Sequence, residues 1–346
     1  MKWILRFIPI FIAVIFIFAG YVFFVWQKFL NTPLLSSQAN PIALQVSPGD
    51  TVIHIGYWLE KNTHSKHPQL WVWLVSHDHA LGKIQAGEYL ITSQMKVRDL
   101  LNNMTHGVVV VHHVTLIEGW TFAQFKQSLL DSPELDSSIA HLSNGDIMKK
   151  LGFPGATPEG LFFPDTYNYL WRQNDLTILE KAFQRMHTIV LQEWSARASN
   201  LNYKNPYEAL IVASMIEKET ATSSERPIIV GVILRRLEKH MRLQIDPTVV
   251  YGLNMPYGTP LTREDLKMDT PYNTYLHLGL PPTPICMPSL ASIHAALHPE
   301  DDGYLYYVAK GDGTHAFSKT YPEQIRAVNT YIKSRVPRAK AARIHD

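Results

Sequence analysis

Cysteine is almost absent from this chain. Its 346 residues hold one, Cys286. That excludes an intramolecular disulfide and a thiolate metal cluster, and avoidance of cysteine suits an oxidising compartment. Charge is scarce as well: charged residues make up 18%, and the formal net charge is only +2. A balance so near zero gives no basis for a nucleic-acid partner. Internal repeats and low-complexity tracts are missing. The 16 histidines are scattered, and neither His77-Asp78-His79 nor His112-His113 has the HExxH spacing of a zinc enzyme. No metal or other cofactor is expected. With 46% hydrophobic residues, the chain should fold around a real core. Its length suits one large domain or two ordinary ones.

What is there begins with a long apolar run. Phe7 to Trp26 (FIPIFIAVIFIFAGYVFFVW) carries no charge. As a helix, twenty residues span roughly 30 Å, the thickness of a bilayer core. Lys2 and Arg6 precede it, and Trp3, Tyr21 and Trp26 lie near its ends, where amphipathic rings prefer the interface. A cleaved signal peptide would have a shorter apolar stretch and a small-x-small site; QKFLNTPLL offers none. The expectation is a single-pass anchor over 1–30 with a cytoplasmic amino terminus and the remaining chain outside, although Lys28 opposes that bias.

A polar tether is expected over 31–40 (NTPLLSSQAN), followed by a compact β-α-α-β-α module over 41–107. Its strands are Ile42–Val46 and Gly87–Ile91. Its helices run from an Asp50 or Thr51 cap to about Lys61, from Pro68 to Ser76, and from Val97 to Met104. Beyond it, Val108 to Leu116 reads as a strand, Phe122 to Leu130 as a helix, and 131–156 as polar connection. Gly160 to Tyr167 reads as an aromatic loop. Long helices are expected over 176–200 and from Asn205, then at 228–239. Past Arg242 the pattern is loop-rich, with a strand at 304–308 and a closing helix at 322–336. The fold class is α+β.

The helix from Asn205 holds the most informative residues. Asn205, Pro206 and Glu208 make a helix start, and the run ends in ASMIEKETA. Glu217 and Glu219 are separated by about 200° around the helix axis, so they face nearly opposite ways. Glu219 lies over the bulky stripe of Ile211, Val212, Met215 and Ile216. Glu217 lies over Ala213 and Ser214. Burial and the partial negative charge of the helix end should both raise the pKa of Glu219. A carboxyl kept protonated near neutrality is what acid catalysis of glycosidic cleavage requires. A salt bridge from Arg226, Arg235 or Arg236 would have the opposite effect.

IEKETA and SER (216–226), RLQIDPTVVYG (242–252), PYNTY (271–275), GLPPTPICMP (279–288), His298-Pro299, YLYYVA (304–309) and HAF (315–317) occur in that order. With EGWT (118–121) and EGLFFPDTY (159–167), they resemble the MltG (YceG-like) family of endolytic murein transglycosylases over nearly the whole chain. The resemblance implies a membrane anchor, a LysM-like module over 41–107 and a catalytic domain over 108–340. It implies a lyase that cuts peptidoglycan between N-acetylmuramic acid and N-acetylglucosamine inside glycan strands, leaving 1,6-anhydromuramyl ends. It also implies residence in the inner membrane with the catalytic domain in the periplasm, and penicillin-binding proteins or a division or elongation complex as partners.

The glutamate motif of that family makes Glu219 the expected catalytic acid, with Glu217 as runner-up. Gln244, Asp246, Tyr272 and Asn273 are candidates to bind sugar, and Thr220 and Ser224 to orient Glu219. His315 reads as a packed histidine, and Gly279 to Pro282 as a rigid groove wall. Tyr57, Trp58, Trp71 and Trp73 could stack on sugars or fill the core of the module. Two other readings stand beside this one: a non-catalytic wall-binding scaffold that recruits synthases, and a hydrolytic muramidase.

Overall fold

A computed structural model describes the backbone of residues 4–199 and 201–342 and the side chains of residues 9–199 and 201–331. Lys2, Trp3, Asn200 and the Arg6 side chain lie outside the described residues. The chain divides into two compact units, one of residues 1–112 with 168–172, the other of 113–167 with 173–346.

The first unit opens with α1 (Ile4–Asn31). From Pro9 to Asn31 it is long and apolar enough to cross a membrane. There follow β1 (Ile42–Val46), α2 (Val52–Asn62), α3 (Pro68–His77), β2 (Gly87–Ile91) and α4 (Val97–His106), the expected β-α-α-β-α order. β1 and β2 pair antiparallel, Ile42 opposite Ile91 and Val46 opposite Gly87. Of the two proposed caps of α2, Thr51 accepts from His54 N at 3.3 Å, while Asp50 accepts from Ser47 N and closes the preceding turn. Gly107 ends α4 in the left-handed conformation at φ 67°, where a glycine carries no Cβ penalty.

The 31–40 segment is not a free tether. Leu34 and Leu35 are buried with Phe29, Leu59 and Trp71 in the unit's core. Leu34 N donates to Met95 O at 2.8 Å, and His64 N donates to Leu34 O at 2.8 Å. Two adjacent leucines have apolar surface to hide, and that outweighs the polarity of their neighbours. Among the module's aromatics, Trp71 is fully buried and Trp58 packs on the core, whereas Tyr57 and Trp73 are exposed. Trp73 meets Trp26 edge to face at 4.3 Å. His112 Nε2 is held by the buried Glu88 at 2.6 Å.

The second unit is mainly helical. β3 (Val111–Thr115) and β4 (Thr166–Leu170), whose residues the division shares between the units, pair as a two-stranded ribbon. The helices of this unit are α5 (Phe122–Leu130), α6 (Asn144–Lys150), α7 (Asp175–Ser195), α8 (Pro206–Glu219), α9 (Arg226–Glu238), α10 (Asp246–Gly252) and α11 (Leu290–Leu297). A hairpin of β5 (Tyr306–Ala309) and β6 (His315–Ser318) precedes α12 (Tyr321–Ala342). The fold is therefore α+β. Helix α8 is its axis: every residue from Ala209 to Ile216 is buried, packed among side chains of α7, α9 and α11. A helix apolar all round belongs inside a core.

Several short elements depart from the sequence reading. α6, α10 and α11 fall where loops are expected, and the aromatic stretch at 160–167 continues into β4. Helices of seven or eight residues show too few turns for periodicity to register. The predicted strand 108–116 shortens to Val111–Thr115, and the helix expected to reach Asn200 ends at Ser195.

Candidate active site

The helix start at Asn205 forms as expected. Asn205 Oδ1 accepts from Glu208 N at 3.1 Å, with Pro206 at the first helical position. From there α8 carries its two terminal glutamates to opposite sides. Glu217 Oε2 accepts from Ser289 N at 3.0 Å, Ser289 Oγ at 2.5 Å and Ser292 Oγ at 2.7 Å. It thus sits at the amino end of α11, where Ser289 is the cap. A carboxyl group accepting three hydrogen bonds at a helix N-terminus anchors that helix. The runner-up catalytic residue is placed as a structural one.

Glu219 is the last residue of α8. Its side chain turns away from α11, and Oε2 is buried without a hydrogen-bond partner. Burial raises its pKa from 4.5 to about 7. The Tyr307 hydroxyl pulls the other way, the Asp246 carboxylate adds to the rise, and His315 offsets part of it. Among the described residues no arginine forms an ion pair with it. Arg235 is taken by Asp301 at 2.8 Å and Tyr304 O at 2.7 Å. Arg236 donates to Leu305 O at 2.7 Å and Leu243 O at 2.8 Å, and Arg226 reaches Ser289 Oγ at 3.5 Å. With no paired cation to hold it ionised, this carboxyl keeps its proton close to neutral pH.

Three groups surround that carboxyl. Tyr307 comes from β5; the strand's alternation sends Tyr306 to Arg236, whose guanidinium lies 5.3 Å from its ring, and Tyr307 to the other face. Burial and the nearby Glu219 charge hold the Tyr307 phenol well above its ordinary pKa, so it is a hydrogen-bond donor. Tyr275 donates to Asp246 Oδ1 and is likewise held protonated by burial first, then by Asp246 and Glu219. Glu225 grips His315 twice, at the backbone N–H (2.8 Å) and at Nδ1 (2.7 Å). The histidine read as packed is a fixed one: its Nδ1 is engaged by a carboxylate.

The remaining expected residues divide by location. Gln244 and Asp246 are exposed on the approach to this cluster. Gln244 has φ 56° and accepts from Arg236 Nη1 at 3.4 Å. Thr220 is buried, caps α8 and lies 3.4 Å from Glu225 Oε2; it braces the turn that follows Glu219. Ser224 is exposed in a single 3₁₀ turn over Ser223–Glu225. Tyr272 packs edge to face on Tyr251 at 4.8 Å, and its hydroxyl meets Thr283 Oγ1 at 2.8 Å, which makes it part of a wall. Asn273 is fully buried. Its amide nitrogen donates to Leu266 O and Met268 O, and its oxygen accepts from Tyr275 N. It braces the loop that presents Tyr275 and exposes no free group to a sugar.

Sequence reasoning gave no role to Tyr307, Tyr275, Glu225 or Glu159. Strand parity in YLYYVA is the signal that marks Tyr307. Nothing local marks Glu225 or Glu159, because their partners lie 90 and 92 residues away.

A model of the YceG-like family matches residues 44–330. The chain belongs to the YceG-like family. Among curated relatives, the endolytic murein transglycosylase of Bacillus subtilis (strain 168) is 29% identical over 329 residues, covering 90% of this chain and 91% of that protein. The protein of the same name from Streptococcus pneumoniae is 25% identical over 353 residues; 91% of this chain aligns, and it spans 63% of that relative's length. Among solved structures, a YceG-like protein of Listeria monocytogenes superposes with a TM-score of 0.54 at 26% identity, covering 83% of this chain and 99% of that one. Every residue of the Glu219 cluster falls inside the family match.

Proposed function

We propose that the chain is an endolytic peptidoglycan lytic transglycosylase and that Glu219 is its one acid and base. The observation that carries this is the buried Glu219 carboxyl with its unpartnered oxygen, ringed by protonated phenols and not ion-paired with arginine. Its membership of a family whose curated relatives bear that activity in their names supports the reading.

The reaction proposed for this carboxyl has two steps. Protonated Glu219 gives its proton to the glycosidic oxygen between muramic acid and N-acetylglucosamine as that bond breaks. The carboxylate left behind takes the proton of the muramyl C6 hydroxyl, and that oxygen bonds to C1. One carboxyl thus serves both steps, and the nucleophile belongs to the substrate. The Tyr307 hydroxyl donates to the carboxyl and steadies its charged form without ionising, while the Tyr275 hydroxyl is engaged by Asp246. Acid–base assistance is worth about 10²–10⁴-fold; holding the C6 hydroxyl near C1 supplies much of the rest. Gln244 and Asp246 lie where the strand would approach.

The anchor reading assigns α1 to the inner membrane, with the second unit outside the cytoplasm. Because Leu34 and Leu35 are docked, the first unit would lie against the bilayer surface, with Trp26 and Trp73 at the interface. Nascent strands would be the substrate, and synthases of the division or elongation machinery the partners.

The test is digestion of purified sacculi by wild type, Glu219→Gln and Glu217→Gln, with mass analysis of the products. Anhydromuramyl products from wild type and none from Glu219→Gln are expected. Reducing muramic acid ends, about one water heavier, would make the enzyme a muramidase. Cleavage by Glu219→Gln at the wild-type rate would take the acid role from Glu219, and absence of cleavage by wild type would leave only the scaffold reading.

A further inference from the structure

Beside the catalytic helix end lies a pocket of about 390 Å³ that the reaction above does not use. Its size is within the range of about 300–1,000 Å³ typical of ligand sites. Phe122, Tyr251, Tyr257 and Ile285 give it apolar walls, Gln124 and Asn144 line it with amides, and Lys218 contributes the cation. Glu159 also lines it, but both its oxygens are spent: one accepts from Phe122 N at 3.0 Å, the other from the Tyr251 hydroxyl at 3.0 Å. It therefore shapes the pocket and has little left to offer a ligand.

Lys218 is held for a task that the fold leaves undone. It precedes Glu219 by one residue, so it turns about 100° from the catalytic carboxyl. Its ammonium lies 3.9 Å from the centre of the Tyr257 ring, and the Tyr257 hydroxyl donates to Lys218 O at 2.6 Å. Both ends of the tyrosine thus fix the lysine. Among the described residues no carboxylate lies within ion-pairing distance of it. On one side it is bordered by Gly119, at φ 75°, where even a Cβ would come to 3.4 Å from Nζ. A half-buried, oriented, unpaired ammonium in a concave site is suited to receive an anion.

We propose that this pocket is a carboxylate subsite, in which Lys218 receives the anionic arm of the muramyl residue at the scissile bond. Muramic acid differs from N-acetylglucosamine by its lactyl ether, and that arm ends in a carboxylate, either its own or, when a peptide stem is attached, one on the stem. The lysine thereby sets which sugar is placed for attack by its own C6 hydroxyl. This rests on the transglycosylase reading and adds to it a choice of substrate.

The test uses full-length enzyme and three strand preparations: stem-bearing strands, strands with stems removed, and stem-bearing strands whose carboxylates have been converted to amides. Lys218→Met is expected to lower kcat/KM on the acidic strands by about tenfold or more through KM, while Lys218→Arg retains most of it. On the amidated strands wild type falls to the level of Lys218→Met, and the substitution has no further effect. A loss on stem-bearing strands only assigns the anion to the stem, a loss on stem-free strands only assigns it to the lactyl carboxylate, and a loss on both means that Lys218 takes whichever carboxylate ends the arm. Equal kcat/KM for wild type and Lys218→Met on both acidic preparations overturns the subsite, as does an equal loss on amidated strands. Failure of the transglycosylase reading is distinguishable: wild type would then release no anhydromuramyl product from any preparation.

Discussion

At the residue scale, the acid role proposed for Glu219 ties catalysis to stability through one proton. Its folded-state pKa is about 7 against 4.5 for the free side chain. In the window between those values the folded protein binds the proton more tightly than the unfolded chain. Stability therefore falls as pH rises from 4.5 to 7 and stays lower above it. Glu219→Gln removes that burden. It should stabilise the protein above pH 7 by up to about 3 kcal/mol, with no gain below pH 4.5; urea unfolding at the two pH values checks this. The catalytic counterpart is an alkaline limb of kcat/KM near pH 7, since the free enzyme must hold the acid proton. Tyr307 lowers the pKa of Glu219, so Tyr307→Phe should move that limb upward, as pH–rate profiles of the two proteins would record. The opposition of Glu217 and Glu219 was legible from helix geometry alone. The phenols around Glu219 were not, because they arrive from β5 and the 270–276 loop.

At the element scale, the same helix end does two unlike things. Glu219 faces the cluster of Tyr307 and His315, and two residues earlier Glu217 fastens α11 through Ser289 and Ser292. Glu217→Ala should leave Ser289 N and both hydroxyls without their acceptor, at a cost of about 1–3 kcal/mol. An unchanged urea midpoint would refute the anchoring role. The sequence-based expectation that Glu217 tops a small, more polar face is refined here. Ser214 does lie on that face, but it is fully buried, donates to Ile211 O and accepts from Ile285 N. Elements with several periods or a distinct cap were readable, among them β1, β2, α5 and α8. α10 and α11 were not, since their identity depends on long-range partners such as Glu217 rather than on periodicity. TYNYL at β4 did carry an alternating pattern, obscured by the aromatic loop before it.

At the scale of the whole molecule, composition alone marked the apolar helix, and the order of motifs marked the family. The docking of residues 29–35 was hidden, because a polar-looking stretch conceals two leucines that only tertiary packing reveals. This has a testable consequence. Removing residues 1–24 should release the protein from membranes while leaving the first unit folded. Removing residues 1–40 deletes Phe29, Leu34 and Leu35 from its core and should lower its melting temperature by several degrees. Membrane fractionation and thermal unfolding of the two truncations separate these outcomes.

The most direct measurement is a titration of the Glu219 carboxyl itself, read as the infrared carboxyl band that is present in wild type and absent from Glu219→Gln. Half-protonation near pH 7 is the value expected of an acid that lends and recovers its proton. Half-protonation below pH 5 would mean that the carboxyl is already ionised at neutral pH, and no proton would be available to break the glycosidic bond.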